Sequence, residues 1–73
     1  MKVGDLYRVA RVVHQVHFEQ VRQDQIGNNV LITKTDARQN NCRYNGYCVG
    51  INLSTGLVWI YPKESLEVLS ESR

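Results

Sequence analysis

GYCVGINLSTGLVWIYPKESLEVL, residues 46–69, is the stretch whose reading decides the fold. Tyr47, Val49, Ile51 and Leu53 form an apolar-rich run, Ser54-Thr55-Gly56 interrupts it, and a second run fills residues 57–61. Pro62, the polar bridge Lys63-Glu64-Ser65 and a third run of Leu66, Val68 and Leu69 follow. β-Branched and aromatic residues punctuated in this way predict strand, tight turn, strand, bridge, strand. Pro62 lacks the amide hydrogen that a ladder needs, so the middle strand should stop there and residues 63–65 should make one 3₁₀-like turn.

Upstream, VLITKT at residues 30–35 predicts another strand, and residues 5–13 predict the first. On that first strand Tyr7, Val9 and Val13 share one face, while Leu6, Arg8 and Ala10 share the other, so neither face is cleanly polar. Residues 14–29 scatter Val16, Phe18, Val21 and Ile26 among glutamines and charges. This predicts a strand that bends into a long loop closed by Gly27-Asn28-Asn29. Residues 36–46, DARQNNCRYNG, are polar and end in Asn-Gly, predicting a second exposed loop. The polar tail at 70–73 should fray.

A chain of 73 residues has room for one domain, 1–73, with no internal repeat or linker. A core of this size buries only about 60% of the unfolded chain's surface, so a homo-oligomer is expected. Nine basic and seven acidic side chains give a net charge of +2, short of the basic stripe that marks a dedicated nucleic-acid binder. No run approaches the roughly 20 apolar residues of a membrane span, and no secretory segment opens the chain, so a cytoplasmic protein without a membrane partner is expected. Cys42 and Cys48 make no multi-bridge framework, although one bridge between them is open to an oxidising environment.

Candidate chemistry is sparse. His14 and His17 are three apart, which on a strand sends them to opposite faces, and five residues separate the cysteines, wider than a zinc knuckle. No metal site is expected. A cysteine with a histidine is the one pairing that could serve nucleophilic catalysis, and no motif surrounds it. No phosphate-cradling glycine loop is present. The expectation is no catalytic residue and no cofactor.

VWIYPKESLEVL resembles the closing segment of SH3-like barrels, and GDLYRV resembles the GD-x-V opening of small bacterial and phage barrels. The resemblance implies an all-β, five-stranded SH3-like barrel and, from the kind of barrel, an accessory protein of a phage or other mobile element. Gly4, Asp5, Val58, Ile60, Tyr61 and Pro62 are also similar to the opening and closing motifs of the plasmid-borne type II dihydrofolate reductases. That likeness implies a tetramer binding a nicotinamide cofactor. Trp59, however, stands where that family has its pore glutamine, and Val9 stands where it has a lysine.

With period two, Val58 and Ile60 fall on one side of their strand and Leu57, Trp59 and Tyr61 on the other. Turning Val58 and Ile60 inward leaves Leu57, Trp59 and Tyr61 as an outer strip, and a strip of that kind is covered by a partner. The reverse assignment makes Trp59 the core residue. Arg43, Tyr44 and Tyr47 place a cation beside rings in the adjacent loop, where Arg38 could join them. The expected function is a non-enzymatic interaction module that self-associates or binds a protein through Leu57, Trp59, Tyr61, Arg43, Tyr44 and Tyr47. The alternatives are a nucleic-acid-binding barrel, an aromatic cage for a methylated cation, and a diverged reductase.

Overall fold

The computed structural model describes residues 1–71. Seven strands form two antiparallel sheets. They are β1 (Leu6–Val9), β2 (Asn29–Lys34), β3 (Ala37–Gln39), β4 (Cys42–Tyr44), β5 (Tyr47–Asn52), β6 (Val58–Pro62) and β7 (Leu66–Ser70). Five of them make the main sheet in the order β6-β5-β2-β1-β7, and β3 pairs with β4 as a separate hairpin. The all-β class and the five-stranded sheet match the expectation. Of the polar tail expected at 70–73, Ser70 ends β7, Glu71 follows it exposed, and residues 72 and 73 lie outside the described residues. No helix of the described residues is long and apolar enough to cross a membrane.

The Gly-Asp opening has a backbone cause. Gly4 adopts φ +93°, a region glycine enters without steric cost, and its amide donates to the Ile32 carbonyl at 2.8 Å. The Asp5 carboxylate then accepts from the Lys2 amide at 2.7 Å, closing a turn that delivers β1 to the sheet.

Two expectations are corrected by the backbone. β1 ends at Val9, not Val13, because Val9 pairs with the far end of the long loop instead of extending. The Val9 amide donates to Asn28 O at 3.0 Å, and the Gly27 amide donates to Val9 O at 2.8 Å. Residues 10–28 thus leave the sheet, make one 3₁₀ turn at Gln23–Gln25, and drop Val21 into the core at 1% exposure. The second correction concerns residues 36–46, which form a hairpin where a loop was expected. Asn40 and Asn41 both take positive φ, 52° and 64°, between the paired residues Gln39 and Cys42. That is the two-residue mirror-image turn whose twist suits a hairpin, and asparagine tolerates it.

The facing of β6 is also corrected. Tyr61 is wholly buried, Trp59 packs partly against the core, and Val58 is 63% exposed. Val58 and Ile60 therefore face outward and Tyr61 inward, the reverse of the expected arrangement. The reason lies on the neighbouring strand, where register sets Cys48 opposite Tyr61 and Gly50 opposite Trp59. Cys48 is small enough to leave room for the Tyr61 ring on the inner face, and Gly50 lets a Val30 methyl close in beside it. Asn52, wholly buried, closes the arrangement: its Nδ2 donates to the Tyr61 hydroxyl at 3.4 Å, and its Oδ1 accepts from the Ser54 and Thr55 amides at 3.0 and 3.3 Å. The buried polar group is thus satisfied. The expected 3₁₀ turn after Pro62 is present at Lys63–Ser65, with the Ser65 hydroxyl donating to Pro62 O at 2.8 Å.

Gly50 tolerates no side chain. A Cβ there would lie 2.3 Å from a Val30 methyl and 3.0 Å from the Leu31 carbonyl oxygen. Gly50→Ala is expected to destabilise the fold by about 1–3 kcal/mol through overpacking. Urea denaturation measures this, and an unchanged midpoint would contradict it.

Candidate functional site

A groove of about 660 Å³ lies on the outer side of β5 and β6. Val49, Val58 and Ile60 line it from the strands, with Val49 paired to Ile60. Phe18 and Glu19 of the long loop contribute on one side, and Lys34, Asp36 and Arg38 at the end of β2 and the start of the hairpin on another. Trp59 reaches it as well while packing partly on the core.

The parts of this groove are fastened together. Gln15, only 6% exposed, donates its Nε2 to the Ile60 carbonyl at 3.2 Å, and its amide donates to Gln20 Oε1 at 3.1 Å. The long loop is therefore tied to β6. Two residues on, His17 and Phe18 meet Tyr44 and Tyr47 in a cluster of four rings. Phe18 lies 5.2 Å from Tyr44 and 5.0 Å from Tyr47, both edge-to-face, and His17 lies 4.6 Å from Tyr44. Pairs of this geometry contribute roughly 0.5–1.5 kcal/mol each beyond area burial. The cluster holds the loop against the hairpin and the start of β5, so the groove exists before any ligand arrives.

Charge at the rim is partly spent. Arg43 Nε lies 2.5 Å from Asp36 Oδ2, and Arg38 Nε lies 3.7 Å from the same oxygen. Register places Arg38 directly opposite Arg43, so one carboxylate relieves the repulsion between two guanidiniums. Arg8 pairs with Glu67 at 3.1 Å, and Arg11 donates to the Glu64 carbonyl. Of these arginines, Arg8, Arg38 and Arg43 are therefore each paired with a carboxylate.

The six residues expected to form one docking surface separate into four places. Tyr61 is sealed in the core, Leu57 is 60% exposed in the β5–β6 turn, and Trp59 sits between core and groove. Arg43, Tyr44 and Tyr47 belong to the hairpin and the start of β5. Tyr44 and Tyr47 do meet, joined by His17 and Phe18. An aromatic cage needs three of Tyr44, Tyr47, Trp59 and Tyr61 on one pocket, and they do not converge: Tyr61 faces the interior, Trp59 lines the groove, and Tyr44 and Tyr47 pack edge-on against each other outside that lining. Trp59 and Val9, at the two positions that differ from the reductases, are both turned toward the core. Sequence reasoning missed the groove residues Phe18, Glu19, Val49, Val58 and Ile60. Phe18, the chain's one phenylalanine, set in a glutamine-rich loop, was the available signal.

Among the described residues no three of His, Cys, Asp and Glu gather as metal ligands. Comparison with family models, curated proteins and solved structures finds no match.

Both cysteines are free, Cys42 exposed and Cys48 wholly buried. Burial pushes the Cys48 thiol up from 9.0 to about 11, with the Lys63 ammonium pulling weakly the other way. The folded chain thus holds a proton that the unfolded chain releases between these values. This contribution to stability is complete below pH 9 and is lost as pH rises toward about 11. One thiol per chain is expected to react with a disulfide reagent in the native protein at pH 8, and Cys42→Ser should abolish that reaction. Rapid modification of both thiols without unfolding would contradict the placement of Cys48.

Proposed function

We propose that this chain is a non-enzymatic interaction module built on an SH3-like barrel, and that it docks protein in the groove between the long loop and the hairpin. The barrel is supported by connectivity. β6 and β7 are opposite edges of the five-stranded sheet, yet only the three-residue turn Lys63–Ser65 joins them. Laid flat, those edges would stand about 19 Å apart at the usual strand spacing. A 3₁₀ turn of that length advances only about 6 Å, which favours a sheet coiled so that its edges come together.

The docking role rests on one observation: three outward strand residues make an apolar floor beside a wall already fixed by the ring cluster. Val58, at 63% exposure, decides the kind of ligand. A small-molecule pocket encloses its lining, whereas an open floor suits a protein surface or an extended segment. Aromatic side chains and arginine at the margin match the composition of protein interfaces.

A nucleic-acid surface is the second reading, favoured by Arg38, Arg43 and Tyr44 sharing one hairpin. It is the lesser one, because Asp36 faces both arginines and the Tyr44 ring packs against Phe18 and His17.

Peptides selected on the immobilised chain test the docking role. Val58→Asp is expected to weaken their binding by about tenfold or more, roughly 1.4 kcal/mol, with the β-sheet circular dichroism signal retained because Val58 lies outside the core. Selected peptides indifferent to Val58 would contradict it.

A further inference from the structure

The outer face of the main sheet is apolar well beyond the groove. Register sets Leu6, Leu31, Ile51 and Val58 side by side, one from each of β1, β2, β5 and β6. Lys34, Val49 and Ile60 form the adjoining row. Leu6, Leu31 and Ile51 are half-buried, and exposure reaches 63% at Val58 on the sheet edge. Leu53 and Leu57 continue the apolar surface into the β5–β6 turn at 53% and 60%. Of the ten large apolar side chains exposed among the described residues, Leu53, Leu57 and Val58 lie together on this face and its turn.

We infer that a second copy of this chain covers this face, as a two-fold symmetric dimer with the β5–β6 surfaces packed together. The inference deepens the interaction-module reading and rests on it. The choice of occupant comes from charge. Asp36 is engaged by Arg43 and Arg38, whereas Lys34 and Glu19 take part in no ion pair among the described residues. Lys34 begins the row that ends at Ile60, and the loop bearing Glu19 is hydrogen bonded to Ile60 through Gln15. One unpaired cation and one unpaired anion therefore line the same groove above this floor.

In an isologous interface residue i of one copy meets residue j of the other and j meets i. A two-fold axis across the floor sets Lys34 against the second copy's Glu19 and Glu19 against its Lys34. A partner of single charge sign would satisfy only one end. Area agrees: a standard interface takes about 800 Å² from each partner. That is roughly one-sixth of this chain's 4748 Å², within reach of the broad face of a molecule measuring 30 × 29 × 20 Å.

Sedimentation of the purified chain across a concentration series tests the dimer, with circular dichroism melts confirming that each surface variant folds. The expected result is a reversible dimer that Val58→Asp weakens by about tenfold or more. Lys34→Glu and Glu19→Lys should each weaken it by about tenfold, and the two together should restore it to within about threefold, because the swap rebuilds both ion pairs with the signs exchanged. A chain monomeric at millimolar concentration, a dimer unaffected by Val58→Asp, or a double variant no better than the singles would overturn the inference. A monomer that still binds selected peptides through Val58 overturns the dimer and leaves the interaction-module reading standing. A monomer that binds none overturns both.

Discussion

The burial of the Tyr61 ring beside two small residues of the neighbouring strand organises this protein. Tyr61 and Trp59 on β6 face Cys48 and Gly50 on β5, and the space above Gly50 is taken by a Val30 methyl from the next strand. Once Tyr61 is inside, the strict alternation of a strand sends Val58 and Ile60 out. The core and the outer surface are thus two consequences of one contact. Asn52 makes it tolerable to bury polar atoms there, since its amide group serves both the Tyr61 hydroxyl and the β5–β6 turn.

That contact also marks where sequence reading failed. The spacing of apolar residues gave away the strands at 30–35, 47–53 and 57–61, and the 3₁₀ turn after Pro62. It could not say which face of β6 is inner, because Val58, Trp59, Ile60 and Tyr61 are all apolar. On β5, hydrophobicity points the wrong way: Val49 and Ile51 look like core residues beside Cys48, Gly50 and Asn52, yet the latter three are the buried set. Volume across the pair decides the matter, and volume complementarity between strands is legible only once their register is known. The hairpin at 37–44 was readable in principle, since Asn40-Asn41 is suited to positive φ, but the polar tract around it resembles a loop.

The long segment at 10–28 shows how an irregular stretch becomes part of a site. Val21 anchors it in the core, Gln15 ties it to the edge of β6, and His17 with Phe18 clamps it to the hairpin. None of these contacts joins neighbours in sequence, so no local pattern could announce them. Their effect is to hold Phe18 and Glu19 at the groove without a ligand, which lowers the ordering cost of binding.

The proposed dimer stands or falls on the outward face of β6 meeting another copy of the chain. Isotope-filtered nuclear Overhauser spectra on a sample mixing labelled and unlabelled protein observe that contact atom by atom. Cross-peaks between copies are predicted from the Val58 and Ile60 methyls, with none from the Tyr61 ring. Intermolecular cross-peaks from the Tyr61 ring, or from a surface that leaves Val58 and Ile60 silent, would contradict it.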